Sequence, residues 1–357
     1  MSIDVIRPEI RALSSYHVQD ASGMIKLDAM ENPFAFPEPL RAGLAQALAS
    51  ASLHRYPPAG AEELKSAICR AMRIPAGLDI LLGNGSDEII QLIAMATANP
   101  GARLLSVEPA FVMFKMIATF CGLQYIGVPL HSDFGLDQPA LLAAIERERP
   151  AVTFIAYPNN PTGNLFDRES IREIIAAAGQ HGGLVVIDEA YFAFARQSFL
   201  NEIAEYPNAV LMRTVSKLGL AGIRLGILIG RAAWLVQLDK LRLPYNINAL
   251  TQAAASFAML HYDALLAQTE ILKAERARLA GALDRIAQIQ RFPSEANFIL
   301  IRVPSASYTF ERLVSRKILV KHTGPSHPLL TNTLRVTVGK PAENDAFIAA
   351  IQDSIRP

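Results

Sequence analysis

The side chains able to do chemistry fall in four stretches of this 357-residue chain. In Arg213-Thr214-Val215-Ser216-Lys217-Leu218-Gly219-Leu220-Ala221-Gly222-Ile223-Arg224 a single lysine stands among small and apolar neighbours, with an arginine seven positions later. An amine desolvated by such neighbours is a covalent catalyst, whereas most lysines between Ser and Leu are solvated surface residues. Leu184-Val185-Val186-Ile187-Asp188-Glu189-Ala190-Tyr191 ends an apolar run in two carboxylates. Burying a carboxylate costs free energy unless a cation or a donor meets it. A metal is one such partner, yet no GxxxxGK[ST] loop accompanies the acids to complete a nucleotide site. Gly83-Asn84-Gly85-Ser86-Asp87-Glu88 turns sharply into an apolar-periodic helix that Ser86 can cap, leaving N–H groups free for an anion such as phosphate. Alone, that segment is more commonly a capped helix start with acids on the helix dipole, and it lacks the third glycine of a dinucleotide fingerprint. Tyr157-Pro158-Asn159-Asn160-Pro161-Thr162-Gly163-Asn164 forms a preset turn, from which Asn159 can aim a donor back at a ligand oxygen.

Gathering these residues needs a frame. Residues 79–230 alternate short apolar runs with amphipathic helices, the pattern of βαβ units around a mostly parallel sheet. The spacing predicts strands at 80–82, 103–107, 124–128, 152–156, 184–187, 210–213 and 224–229, with ligands beyond their carboxyl ends. Helices are expected at 38–49 and 61–72 and through 231–287, interrupted at Pro244, with a long one from Ala249. Strands at 297–303, 318–320 and 333–338 alternate with helices at 307–316 and 343–355, a smaller α/β unit. The first 40 residues, rich in proline and polar residues, read as an extended arm packed with it.

Composition excludes several classes of partner. Thirty-four basic and 33 acidic residues leave a net charge of +1, with no basic block to follow a phosphate backbone, so no nucleic acid is expected. Cys69 and Cys121 lack metal-ligand spacing and are expected as buried free thiols of a reducing compartment. The seven histidines show no such spacing either, so no metal is expected. Met1-Ser2-Ile3-Asp4-Val5-Ile6-Arg7-Pro8 does not read as a signal peptide, and apolar runs are strand-length, far below a membrane span. The cytoplasm is the expected location.

Taken together, the four stretches supply a phosphate nest, a buried acid, a lysine and an arginine at successive strand ends. Pyridoxal 5'-phosphate needs all of these: a lysine for a Schiff base, an acid to keep the pyridine nitrogen protonated, and donors with positive charge for the phosphate.

In this order and spacing, Asn159-Asn160-Pro161-Thr162-Gly163, Asp188-Glu189-Ala190-Tyr191 and Ser216-Lys217 resemble the motifs of fold-type I aminotransferases. Leu27-Asp28-Ala29-Met30-Glu31-Asn32-Pro33, Arg55-Tyr56-Pro57, Ser294-Glu295-Ala296-Asn297-Phe298 and Leu334-Arg335-Val336-Thr337-Val338-Gly339 narrow the resemblance to the histidinol-phosphate aminotransferase family, over nearly the whole chain. The fold so implied is α/β, with a large domain whose mostly parallel seven-stranded sheet is flanked by helices, plus a smaller α/β domain. The expected division is an N-terminal arm joining the small domain (1–45), a large cofactor-binding domain (46–250), and a linking helix with the small C-terminal domain (251–357).

The resemblance also implies roles. Lys217 would carry the cofactor covalently and later move the proton between Cα and C4′. Asp188 would pair with the pyridinium nitrogen, and Asn159 and Tyr191 with the ring's phenolic oxygen. The phosphate would be held by the Ser86 and Asp87 backbone, the Ser216 hydroxyl, Arg224 and, from a second subunit, Tyr56, making the active form a homodimer. Arg335 would meet in turn the carboxylate of glutamate or 2-oxoglutarate and the phosphate of histidinol phosphate, for which a guanidinium fork suits both. Asn32, Lys321 and Tyr16 complete the expected substrate-binding set. The implied reaction interconverts L-histidinol phosphate and 2-oxoglutarate with imidazole acetol phosphate and L-glutamate, a histidine-biosynthesis step.

The chain departs from the family pattern at several of these positions. The step from Lys217 to Arg224 is one residue shorter than in many relatives. Phe111 stands where a tyrosine often lies over the cofactor ring, Lys321 stands where arginine is common, and the Pro-Gly that usually follows the tyrosine at position 16 is absent. Rival readings are an aromatic amino-acid transaminase, a phosphothreonine decarboxylase and a non-catalytic ligand sensor of the same fold.

Overall fold

Strand β1 (Ile25–Leu27) lies in the N-terminal arm, and the apolar runs that follow become β2 (Asp79–Asn84), β3 (Arg103–Glu108), β4 (Gln124–Pro129), β5 (Val152–Ala156), β6 (Leu184–Asp188), β7 (Ala209–Thr214) and β8 (Leu225–Gly230). Beyond a helical stretch come β9 (Gln290–Arg291), β10 (Phe298–Arg302), β11 (Ile318–His322) and β12 (Thr333–Thr337). The computed structural model describes residues 4–15 and 18–355.

Strands β2 to β8 form one seven-stranded sheet in the order β2-β8-β7-β6-β5-β3-β4. Neighbours are parallel except at β8, which runs antiparallel to both β2 and β7. Every residue of β5, β6, β7 and β8 is buried. Such uninterrupted apolar strands need helices on both faces of the sheet, since a one-sided sheet would alternate with polar residues. Successive residues do face two different cores: Leu81, Leu104, Phe154, Val186 and Leu228 join one cluster, while Leu82, Leu105, Ile155, Ile187 and Ile229 join the other. Helices Ser86–Thr97 and Val112–Cys121 cover the first face, and helices Gln138–Glu148 and Arg168–Gln180 cover the second. Side chains start the later helices where the sequence offers acceptors: Asp167 accepts from Ser170 N–H at 2.8 Å and Asn248 from Thr251 N–H at 2.9 Å.

The smaller sheet has the order β1-β11-β12-β10-β9. Strand β1 of the arm pairs in parallel with β11, Ile25 opposite Ile318 and Leu27 opposite Val320. The arm also meets the large sheet's helices, since helix Pro8–Arg11 lies against helix Val112–Cys121 and Arg7 Nη2 donates to Phe120 O. Three expectations change in detail. The long helix from Ala249 breaks at His261 into Ala249–Leu260 and Tyr262–Leu283. The cysteines are free but half-buried. Ser86 does not cap its helix: Gly85 occupies the cap position, and Ser86 is the first helical residue.

Candidate active site

Register at one edge of the large sheet gathers the chemistry. Asp188 ends β6 opposite Ala156 of β5 and Met212 of β7, Thr214 ends β7 opposite Gly226, and Asn84 ends β2 opposite Leu225. The segments leaving these ends line a cavity of about 110 Å³. Its lining includes Ser86, Asp87, Phe111, Asp188, Tyr191, Ser216, Lys217 and Arg224, all singled out in the sequence, and also Met30 and Asn160.

Lys217 sits in the tight turn Ser216–Leu218 that follows β7. The turn is fixed from within, because Ser216 N–H donates to Thr214 Oγ1 at 3.1 Å. Lys217 Nζ donates to the carbonyl of Ala29 at 3.3 Å. Burial holds its pKa down to about 8; Arg335 and Arg224 depress it further, and Glu31 and Asp87 oppose them. An amine so placed has an appreciable neutral fraction near neutral pH and is half neutral at about pH 8, and the neutral form is a nucleophile and a base.

Asp188 and Glu189 are adjacent, buried and opposite in fate. Glu189 turns away to Arg213 Nη2 (2.8 Å), the Ser198 hydroxyl (2.9 Å) and Phe199 N–H (2.6 Å), a closed pair in which each charge is met. Asp188 faces the cavity, and its Oδ1 accepts from Ala190 N–H at 3.0 Å. Burial raises its pKa to about 7, opposed by the Ala190 N–H and, last, by Lys217, while Asp87 and Glu189 push it higher. A carboxyl left this way is completed by a cationic N–H donor from a ligand.

An anion cradle lies beside them. Gly85, at φ 82°, begins helix Ser86–Thr97, and Arg224 lies so close over it that a Cβ there would collide with the guanidinium. A Cβ on Gly226 would come within 2.6 Å of the Gly85 carbonyl. Glycine at both positions lets the ends of β2 and β8 close into a pocket of backbone N–H groups, to which the Ser216 hydroxyl and Arg224 add a donor and a charge. Arg224 Nη2 is 3.5 Å from Asp87 Oδ2, and burial pushes the Asp87 carboxyl up against the pull of Arg224 and Lys217. Even with the shorter step from Lys217, Arg224 reaches the cradle, at the left-handed φ of 51°. The acid, the amine and the cradle are what pyridoxal 5'-phosphate requires at its ring nitrogen, aldehyde and phosphate, and the residues present fit it.

Two more of the expected residues come from the small sheet. Arg335, buried on β12, donates from Nη1 to Asn160 Oδ1 at 2.6 Å and from Nη2 to the Asp28 carbonyl at 2.9 Å. Lys321 on β11 is its register partner and is half-buried. Phe111 packs edge-on against Phe114 behind the cavity wall.

Other expected residues are placed elsewhere. Asn159 is fully buried behind the turn, its Nδ2 donating to the Pro109 carbonyl (3.0 Å) and the Thr162 hydroxyl (2.8 Å). Of the two amides, Asn160 and not Asn159 lines the cavity. The doublet offered two amides on opposite sides of a turn, and spacing alone does not say which faces the sheet edge. Asn32 likewise braces the arm, donating to Gln268 Oε1 at 3.0 Å and accepting from Phe34 N–H at 2.9 Å beside Gly219. Tyr56 lies outside the cavity, 80% exposed and stacked on Tyr245 at 4.5 Å. Tyr16 lies outside the described residues. Met30, part of the Leu27–Pro33 motif but given no role there, enters the lining with a left-handed backbone at φ 53°.

A sheet edge holding a desolvated amine, a buried acid and an anion cradle defines a transferase site of one class. The chain belongs to the family of aminotransferases of class I and II, whose family model matches residues 22–351. It is similar to a histidinol-phosphate aminotransferase 1 of Ralstonia nicotianae, 52% identical over 356 residues covering 98% of this chain and 95% of the relative. A histidinol-phosphate aminotransferase of Chromobacterium violaceum is 54% identical over 348 residues, covering 98% and 97%. Among solved structures, the histidinol-phosphate aminotransferase of Sinorhizobium meliloti in complex with pyridoxal-5'-phosphate aligns at a TM-score of 0.88 and 25% identity, covering 99% of this chain and 98% of that one.

Proposed function

We propose that this chain is a pyridoxal-phosphate-dependent transaminase interconverting L-histidinol phosphate and 2-oxoglutarate with imidazole acetol phosphate and L-glutamate, a step of histidine biosynthesis. The observation that carries the chemistry is Lys217 and Asp188 facing one cavity beside the Gly85 cradle. The choice of substrate is supported by relatives of that name at about half identity over nearly the whole chain.

When bound, the cofactor supplies an aldehyde for the substrate amine and a protonated ring that draws electrons from Cα. The chain's own residues do the rest. Lys217 Nζ, with its pKa brought to about 8, would take the proton from the substrate's Cα and pass it to C4′, on the far side of the bridging nitrogen. Asp188 keeps the ring nitrogen protonated, because a buried carboxylate is stabilised by a cationic N–H. Tyr191 and Asn160 would hold the phenolic oxygen; the Ser86 and Asp87 backbone N–H groups, the Ser216 hydroxyl and Arg224 would hold the phosphate. Arg335 orients the substrate's anionic end, with Lys321 adding charge for the phosphate.

The active form is a homodimer in which Tyr56 reaches the phosphate of the other subunit, a reading supported by its exposure here together with that of Leu53 and Leu260. Among the described residues no helix is long and apolar enough to cross a membrane, and the proposed location is the cytoplasm. The arm, large and small units are assigned to residues 1–45, 46–250 and 251–357.

Absorbance tests the class: purified protein is yellow with the cofactor and loses that band on adding glutamate. Competition kinetics test the substrate, and a clear preference for phenylalanine over histidinol phosphate overturns it.

A further inference from the structure

Three consecutive residues of the arm each give a backbone carbonyl to a different side chain. Asp28 O accepts from Arg335 Nη2 at 2.9 Å, Ala29 O from Lys217 Nζ at 3.3 Å, and Met30 O from Asn297 Nδ2 at 2.9 Å. The Met30 N–H donates in turn to Thr337 Oγ1 at 2.9 Å. Met30 holds a φ of 53°, a left-handed conformation that a side-chain-bearing residue keeps only where its surroundings hold it.

The surroundings here come from the small sheet. Thr337 and Arg335 are two apart on β12 and so share a face, and Asn297 is tied to the same ladder by Val338 N–H donating to its carbonyl at 2.9 Å. Asn297, Thr337 and Arg335 are all buried, so water cannot replace a lost bond.

We propose that Asn297 and Thr337 are positioning residues that clamp Met30 in its left-handed conformation, so that the Asp28 carbonyl fixes the Arg335 fork and the Ala29 carbonyl gives the Lys217 amine a resting place when it is not bonded to the cofactor. Rotation about the Met30 N–Cα bond turns the peptide plane that carries the Ala29 carbonyl. Relaxation to an ordinary negative φ therefore swings this acceptor away from Lys217 and pulls on the Asp28 carbonyl before it. Arg335 then loses the bond from its Nη2 to the Asp28 carbonyl. The roles of Lys217 and Arg335 rest on the transaminase reading above, whereas the clamp is a property of the folded chain.

Thr337→Val removes the hydroxyl at nearly constant volume, and Thr337→Ser keeps it. In Thr337→Val the KM for glutamate rises about tenfold while kcat stays within about threefold, because a buried N–H loses its acceptor and the anchor loosens. Hydrogen exchange over residues 27–34 speeds up in the same variant, with and without cofactor, and Thr337→Ser restores both readouts. Met30→Val is the second route, since a β-branched residue resists this φ, and it gives the same rise in KM. Wild-type KM and exchange in Thr337→Val would overturn the proposal, as would a serine variant impaired as much as the valine one. A wild-type protein that fails to transaminate would instead refute the proposed function, while the exchange data would still report on the clamp.

Discussion

In one half of the proposed site Asp188, Thr214 and the Gly85 turn occupy strand ends of a single sheet, whereas in the other half, outside the lining of the cavity, Arg335 reaches from a second sheet to Asn160 and the Asp28 carbonyl. The two halves hold their groups by different means. Backbone register sets the first: the acid ends and the amine follows the fully buried strands β6 and β7, and β8 joins the cradle at the end of β2 to them. Side-chain hydrogen bonds across three distant segments set the second. In the proposed function the first half holds one fixed ligand, while the second, held by fewer and longer-range bonds, meets two anions of different shape in turn.

Breaking the first half has the largest effects. Lys217→Ala abolishes turnover by about 10⁴-fold or more and removes the yellow band of covalently held cofactor, measured by single-turnover kinetics and absorbance. Retained transamination would show that another base shares the role. Asp188→Asn lowers kcat by about 10²- to 10³-fold, the scale for losing one preorganised electrostatic partner.

The same substitution has the opposite effect on stability. The folded pKa of Asp188 is raised from 3.8 to about 7, so the group favours the fold when protonated, and that favour is lost as pH rises through about 7. The cofactor-free Asp188→Asn protein therefore melts a few degrees above cofactor-free wild type at pH 8, a gain that shrinks as pH falls toward ordinary carboxylate values. Equal melting temperatures at pH 8 would mean that the carboxylate is already satisfied and that this half is less specialised than described.

Legibility in the sequence followed the same division. The apolar runs ending in Asp188 and Arg213, and the glycines around Ser86, are local signals, so the sheet edge and eight of its lining residues could be named before the fold was known. Motifs did not reveal every rotation: Asn159 and Asn160 differ only in which side of a turn they face. Nor did they reveal bonds across 188 or 307 residues of chain, such as Lys217 to Ala29 or Arg335 to Asp28. Those bonds depend on how the arm's β1 docks on β11, a tertiary event with no periodic signature.

In the second half the largest expected effect is at Arg335. Arg335→Lys keeps the charge but cannot span Asn160 and Asp28 with one planar fork. The expected loss is about 10²-fold in kcat/KM for glutamate and for histidinol phosphate alike, mostly through KM, with the cofactor's absorbance unchanged. A changed spectrum would mean that the two halves are coupled and the division drawn above too sharp.

The smallest effect separates the two substrates. Lys321 lies opposite Arg335 in the β11–β12 register, half-buried, and carries a flexible ammonium in place of a fork. A phosphate bears more negative charge than a carboxylate and spreads it over three oxygens, so a second cation beside Arg335 matters more for it. Because the site is partly solvated, the contribution is modest: Lys321→Ala raises KM for histidinol phosphate about fivefold and for glutamate by less than about twofold. Screening weakens such a contribution, so in about 0.5 M salt the wild-type and variant values for histidinol phosphate converge. Equal increases for both substrates would place Lys321 in general support of Arg335 and remove it from phosphate recognition.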